Sequence, residues 1–236
     1  MKKKIIITGG TGRFGEILKK YKNKNLLLFP NKKELDILNY KKILSYFEKT
    51  KPDILIHLAG LSRPMSIHEK DIKKSIDLNI IGTANITKAC EKKKIKLIYF
   101  STHYIYSGIK GDYKETDSIL PVNNYAWSKL GGEASVNLYK NSLILRLCMT
   151  EKPFVHKKAF TNVNTNFMFH EDVVPVVFKL LNCKGIINIG GKKQTIYNFA
   201  KNHNKKIKKA LAKKNQIPLN STLDLKKMKL ALKNSK

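Results

Sequence analysis

Ile5-Ile6-Ile7-Thr8-Gly9-Gly10-Thr11-Gly12-Arg13-Phe14-Gly15 lies near the start of the chain and decides how the rest is read. The β-branched run predicts a strand buried on both faces, the glycines a tight turn, and Phe14 onward a helix. Gly10, Gly12 and Gly15 satisfy G-x-G-x-x-G, while Gly9, Gly12 and Gly15 satisfy G-x-x-G-x-x-G. Such spacing lets the backbone turn tightly, lets it approach a diphosphate, and lets the helix pack closely on the sheet at Gly15. The first N–H groups of that helix then face an anion. Gly9, Gly12, Arg13, Phe14 and Gly15 are therefore expected to line a dinucleotide. The alternative is an ordinary glycine turn; the strand before it and the helix after it favour the cofactor.

Working outward, apolar runs at 4–8, 25–29, 53–58 and 96–101 alternate with helical patterns at 14–21, 40–49, 70–93 and 124–139. Alternation of this kind predicts an α/β fold with a parallel sheet. In the long helix Ile72, Ile76, Asn79, Ile80, Thr83 and Ile86 recur at helical spacing and predict one buried face. Residues 143–147 and 186–189 are later strand candidates, 150–169 reads as loop, and the tail from 171 supplies helix, short strand and further helices. The expected architecture is a Rossmann-like, doubly wound parallel sheet. A dinucleotide-binding domain with the catalytic residues is expected over 1–147. A shortened C-terminal substrate lobe is expected over 148–236, with part of 170–200 returning to the first domain.

The 236 residues hold 47 Lys+Arg against 17 Asp+Glu, a formal charge of +30. Arg13, Arg63 and Arg146 are the arginines, so 44 of the 47 basic residues are lysine, spread along the whole chain. Sequence-specific readers of nucleic acid rely on Arg for bidentate base contacts and on aromatics for stacking. Nucleic acid is therefore not the expected partner, although 201–214 remains a basic candidate patch. The field would still attract anionic small molecules. No apolar run approaches the roughly 18–20 residues a membrane span needs, and the short apolar stretch after the first lysines reads as no export signal. Cys90, Cys148 and Cys183 lack metal-ligand spacing, so no metal site and a reducing, cytoplasmic setting are expected.

Tyr125 and Lys129 stand at i and i+4, on one face of the predicted helix. A tyrosine with a pKa of about 10 is a poor acid at neutral pH, and a nearby ammonium lowers that value. A surface Tyr and a surface Lys are the alternative. Their place downstream of the glycine loop and of Ser101-Thr102 favours chemistry, because Thr102 follows a strand at the sheet's carboxyl edge, where α/β folds hold ligands. After the second strand, Pro30-Asn31-Lys32-Lys33 has no acidic residue for the ribose hydroxyl of NAD, whereas Arg13 and the lysines suit a 2′-phosphate. NADP(H) is expected over NAD(H), with Asp36 meeting the adenine edge.

Together these residues resemble the extended short-chain dehydrogenase/reductases that act on nucleotide sugars. The likeness is carried by 8–15, His57-Leu58-Ala59-Gly60, Asn79-Ile80-Ile81-Gly82-Thr83, 100–106 and Tyr125 through Glu133, and continues at His170-Glu171-Asp172-Val173 and 187–191. Leu35-Asp36-Ile37, Pro52-Asp53, Glu115-x-Asp117 and Leu223-Asp224 point to the dTDP-4-dehydrorhamnose reductase branch. The resemblance implies reduction of a nucleotide-activated 4-keto-6-deoxy sugar, with Tyr125 as proton donor, Thr102 polarising the carbonyl and Lys129 tuning the phenol. It also implies a cofactor site completed by Asn31, Asp36, Ile37, Leu58, Ala59, Gly60, Asn79 and Ser101, together with Tyr125 and Lys129, and a homodimer. Two departures stand out: His103 replaces the usual Asp, and the chain is short between Arg146 and His170. His103 reads either as a polar strand-end residue or as an extra acid. An epimerase with tightly held NAD and a non-catalytic dinucleotide-binding subunit are the competing functions.

Overall fold

Ile5, Ile6 and Ile7 are all fully buried, which a strand achieves only when both faces of its sheet are covered. In the computed structural model, which describes residues 2–213 and 216–235, they form β1 (Lys4–Thr8). Met1 and Lys214, parts of the basic start and of the basic run 201–214, lie outside the described residues. Leu55 and Ile56 of β3 (Ile54–His57) and Leu97 and Ile98 of β4 (Lys96–Phe100) are equally buried. With β2 (Leu26–Leu28), β5 (Ser142–Leu147) and β6 (Gly185–Ile189) they make a six-stranded sheet in the order β6-β5-β4-β3-β1-β2. β1 pairs in parallel with β2, Ile5 opposite Leu27, and with β3, Ile5 opposite Ile54; β3 in turn pairs in parallel with β4. The chain thus leaves β1 toward one edge for β2 and returns on its other side for β3, which makes the gap between β1 and β3 the point where strand order reverses. The expected Rossmann-like parallel α/β architecture is the one that forms.

The principal helices are α1 (Arg13–Lys20), α2 (Tyr40–Thr50), α3 (Gly82–Lys92), α4 (Asn124–Asn137) and α5 (His170–Lys179). The single helix expected over 70–93 is broken. Asp71 leaves helical geometry and its carboxylate accepts from Lys74 N–H at 2.9 Å, starting a new turn at Ile72–Ile76. A π-helical turn follows at Asp77–Ile81 before α3 begins. Its wider turn takes one extra residue and shifts the phase. Asn79, Thr83 and Ile86 are buried as expected, but Ser75 takes the inward place before them, and Ile72 and Ile76 are exposed.

The chain packs as two compact units, 1–101 with 128–144, and 102–127 with 145–236. It crosses between them three times, after 101, 127 and 144. The cause is the packing of 102–127 within the second unit. There, Tyr113 bridges to Leu223, Arg146 Nη1 donates to the Tyr106 hydroxyl at 2.9 Å, and Asn188 Nδ2 donates to the Tyr113 carbonyl at 2.8 Å.

The stretch 150–169, expected as loop, also contains short strands. Lys158–Phe160 pairs with Lys208–Ala210, Asn164–Thr165 with Gln194–Thr195, and Met168–Phe169 with Met149–Thr150. Two- and three-residue ladders with partners far along the chain leave no local period to read. They enclose an apolar cluster that includes Phe154, Val163, Phe169, Ile196, Phe199 and Ile207. Phe199 is its hub, with ring centres 4.8 Å from Phe169 and 5.6 Å from Phe167. Phe199→Ala is expected to cost about 3–5 kcal/mol in urea unfolding; a loss under about 1 kcal/mol would show that the second unit does not depend on this cluster.

Candidate functional site

In the first unit the carboxyl ends of β1 and β3 come within touching distance. Gly9 has φ of +72°, and a Cβ there would lie 2.6 Å from Ala59 N. At Gly15 a Cβ would lie 2.5 Å from the Gly10 carbonyl oxygen, so α1 packs directly on the loop that precedes it. Gly12 N–H donates to Gly9 O at 2.9 Å, closing the turn. Gly12 is also the N-cap of α1 and, as a glycine, brings no side chain to that position. Phe14 is buried with its ring 5.2 Å from that of Phe100, while Arg13 is exposed at the first helical position.

The loop after β2 is a tied polar turn. Asn31 Oδ1 accepts from Lys33 N–H at 2.8 Å and Glu34 N–H at 3.1 Å, and Glu34 Oε2 accepts from Asn31 N–H at 2.8 Å. Sequence reasoning stopped at Lys33 and passed over Glu34; its spacing of three from an Asn was the available signal. Asp36 Oδ1 accepts from Leu38 N–H at 3.0 Å. Ile37 is buried, and its Cδ1 fills the space a Cβ at Gly82 would need.

The loop after β3 is held by Asn79. Its Oδ1 accepts from Leu61 N–H at 2.7 Å, and its Nδ2 donates to Leu61 O at 2.9 Å and to Ser128 Oγ at 2.8 Å. Gly60 lies against this amide, where a Cβ would meet Asn79 Oδ1 at 2.8 Å. Leu58 N–H donates to Thr8 O at 3.2 Å. Beneath the loops a buried polar chain runs from Thr8 Oγ1 to His57 Nδ1 at 2.7 Å, and from His57 Nε2 to Thr83 Oγ1 at 3.1 Å. Burial, and next the Lys129 ammonium, push His57 down to about 3, so the ring is neutral at working pH.

Two further side chains of this unit meet β4. The Lys129 ammonium sits over the Tyr99 ring, 4.2 Å from its centre, and the Tyr99 hydroxyl donates to Lys129 O at 3.1 Å. Desolvation of that ammonium pushes Lys129 down to about 7, with Glu133 acting in the opposite direction. The Ser101 hydroxyl donates to the buried Glu133 carboxylate. Glu133 and Tyr99 were not among the residues expected in the site, although Glu133 repeats after Lys129 the i, i+4 spacing that singled out Tyr125 and Lys129.

In the second unit Thr102 is buried in extended geometry, and its Oγ1 accepts from Tyr104 N–H at 3.2 Å. His103 is buried with Nδ1–H donating to Leu147 O at 3.0 Å. Burial pushes it down to about 4, which leaves a neutral ring in place of an imidazolium acid at neutral pH. Tyr125 is half-buried and meets Tyr104 edge to face, ring centres 6.2 Å apart. Tyr125 and Lys129 stand one turn apart along α4, the helix on which the chain passes from the second unit to the first.

A parallel sheet with a glycine loop at its strand-order reversal defines a fold of the dinucleotide-binding class. A family model, the RmlD substrate binding domain, matches residues 2–177, and the chain belongs to that family. A dTDP-4-dehydrorhamnose reductase of Aggregatibacter actinomycetemcomitans is 31% identical over 152 residues, covering 62% of this chain and 51% of that protein. A dTDP-D-glucose 4,6-dehydratase of Dictyostelium discoideum is 30% identical over 237 residues, covering 84% of this chain and 51% of that one. The chain thus spans about half the length of these curated relatives. Among solved structures, the dTDP-4-dehydrorhamnose reductase of Bacillus anthracis in complex with NADP superposes with a TM-score of 0.86. Its sequence is 21% identical, and the match covers 98% of this chain and 92% of that one.

The close approach at Gly9 separates two costs that a glycine substitution can carry. Gly185 also has a positive φ, +80°, but a Cβ there would meet nothing within 4 Å. Gly185→Ala is expected to lose only the left-handed backbone cost, about 1–2 kcal/mol. Gly9→Ala adds overpacking of about 1–3 kcal/mol against Ala59. Equal losses for the two in chemical denaturation would contradict the contact between the β1 and β3 loops.

Proposed function

We propose that the chain is an NAD(P)H-dependent reductase of a nucleotide-activated 4-keto-6-deoxy sugar, serving sugar-nucleotide or cell-surface polysaccharide synthesis. The observation that carries this reading is Lys129, a desolvated ammonium over Tyr99 and one turn from Tyr125, in a chain of the RmlD substrate-binding-domain family. Membership favours a sugar nucleotide as substrate, and the relatives, a dTDP-4-dehydrorhamnose reductase and a dTDP-D-glucose 4,6-dehydratase, favour a dTDP sugar.

The residues present fit a dinucleotide. Positions 9 and 15 have no room for side chains, and Gly12 at the N-cap of α1 brings none, so the backbone at the helix start can come close to a diphosphate. Arg13, Lys32 and Lys33 are exposed near the ends of β1 and β2 and favour the 2′-phosphate of NADP over NAD. Asn31, Asp36, Ile37, Leu58, Ala59, Gly60, Asn79 and Ser101 are proposed to complete the cofactor site. A bound nicotinamide supplies the hydride.

The chain's own groups handle the oxygen of the substrate carbonyl. Thr102 already accepts from Tyr104 N–H, so its single hydroxyl proton is left to polarise that oxygen. Tyr125 delivers a proton to it, and the positive charge of Lys129 stabilises the phenolate left behind. A neutral His103, tied to Leu147 O, supports a structural role in place of an added acid.

We further propose a homodimer and a cytoplasmic setting. The exposed Ile72, Ile76 and Ile81 support the first, and buried unpaired thiols at Cys90 and Cys148 the second. Among the described residues no helix is long and apolar enough to cross a membrane.

NADPH absorbance followed with a panel of nucleotide 4-keto-6-deoxy sugars tests the activity. Tyr125→Phe is expected to lose at least about 100-fold in turnover while keeping NADPH affinity. Equal turnover by the two proteins would exclude Tyr125 as the acid, and a purified chain carrying tightly held NAD would favour the epimerase. Light scattering on the eluted protein should give twice the chain mass; a monomer at micromolar concentration would contradict the dimer.

A further inference from the structure

Lys129 and Glu133 lie four apart on α4 and share one face of the helix. Tyr99 on β4 and Ser101, just past the strand's last residue, are two apart in extended chain and share one side. The two elements meet in register: Lys129 with Tyr99, through the ammonium over the ring and the hydroxyl on the carbonyl, and Glu133 with Ser101, through a buried hydrogen bond. A Cβ on Gly132 would collide with the Asn79 carbonyl and with the Tyr99 hydroxyl, so the helix cannot pack this closely with a larger residue there. An ionised carboxylate is costly to bury unless it is paired or hydrogen-bonded, and the Ser101 hydroxyl supplies such a bond to Glu133.

We propose that Ser101 and Glu133 form a positioning pair for Lys129, in which the carboxylate is the fixed counter-charge that keeps the ammonium protonated over the Tyr99 ring. The pair acts through Lys129 and touches no substrate, and its catalytic meaning rests on the reading of Lys129 as the partner of Tyr125. Glu133 is the acidic member of the surroundings of Lys129. Among the described residues, the other titratable groups that act on it or touch it are His57 from β3, His68 from the helical turn Ile67–Lys70 and Tyr99 from β4. Burial pushes His57 down to about 3, so it supplies no competing cation over the range in which Lys129 titrates, and burial holds His68 below its usual value. Ser101, proposed above beside the cofactor, thereby also orients the carboxylate behind the lysine.

The test follows the Lys129 side chain by NMR in protein labelled at lysine Cε, with its resonance assigned by loss in Lys129→Arg. In the wild-type chain the midpoint is expected near 7. Glu133→Gln keeps the shape and removes the charge, and is expected to lower that midpoint by about one pH unit. The fall in kcat as pH rises through the Lys129 titration should move down with it. Ser101→Ala keeps the carboxylate without its donor, and is expected to move the midpoint in the same direction by less; it serves as the test if Glu133→Gln does not fold. An unchanged midpoint in the folded variant overturns the proposal. A lowered midpoint in a protein that reduces no sugar nucleotide sustains the pair and overturns only the functional reading.

Discussion

Everything in the first unit follows from how closely β1 and β3 approach at their carboxyl ends. The strand order reverses between them, so the chain leaves them toward opposite edges, the place where open α/β sheets hold ligands. The backbone of Gly9 then lies so near Ala59 that a side chain is excluded, and a positive φ is required at the same residue. A buried chain of Thr8, His57 and Thr83 fills the space below. A neutral imidazole suits that place, because it can donate with one nitrogen and accept with the other while carrying no charge into a dry interior.

α4 brings a charged side chain to this unit in Lys129. Charge is expensive to hold in a buried setting, and the lysine here loses much of its usual basicity to desolvation. The carboxylate one turn on opposes that loss, and the Tyr99 ring offers the ammonium a π face. A lysine whose charge is marginal near neutral pH responds strongly to small changes around it. Under the proposed function they include the arrival of a cofactor and the transfer of a proton at Tyr125.

Much of this was legible in the sequence, for physical reasons. A strand buried on both faces has to be continuously apolar, so Ile5–Ile7, Leu55–Ile56 and Leu97–Ile98 declare themselves. The glycine spacing and the Tyr125–Lys129 interval are local signals of the same kind. What failed to show was set by non-local partners or by a change of period. The π-helical turn at Asp77–Ile81 shifted Ile72 and Ile76 outward, where a constant 3.6-residue period had placed them inside. Of the three short pairings between 149 and 169, two depend on partners beyond the stretch, up to Ala210, and the third joins its two ends, Met149–Thr150 to Met168–Phe169, so a short local window holds neither kind. Glu34 and Glu133 were hidden differently: each looks like a surface charge until the group that ties it down is known.

A crystal structure with bound NADPH tests the central claim most directly. The account predicts the diphosphate on the N–H groups of the loop and first turn from Gly9 to Gly15, with the nicotinamide beside the Tyr125 hydroxyl and its ribose at Lys129. Density for the diphosphate elsewhere, or a nicotinamide beyond hydrogen-bonding reach of a substrate oxygen placed at Tyr125, would contradict it.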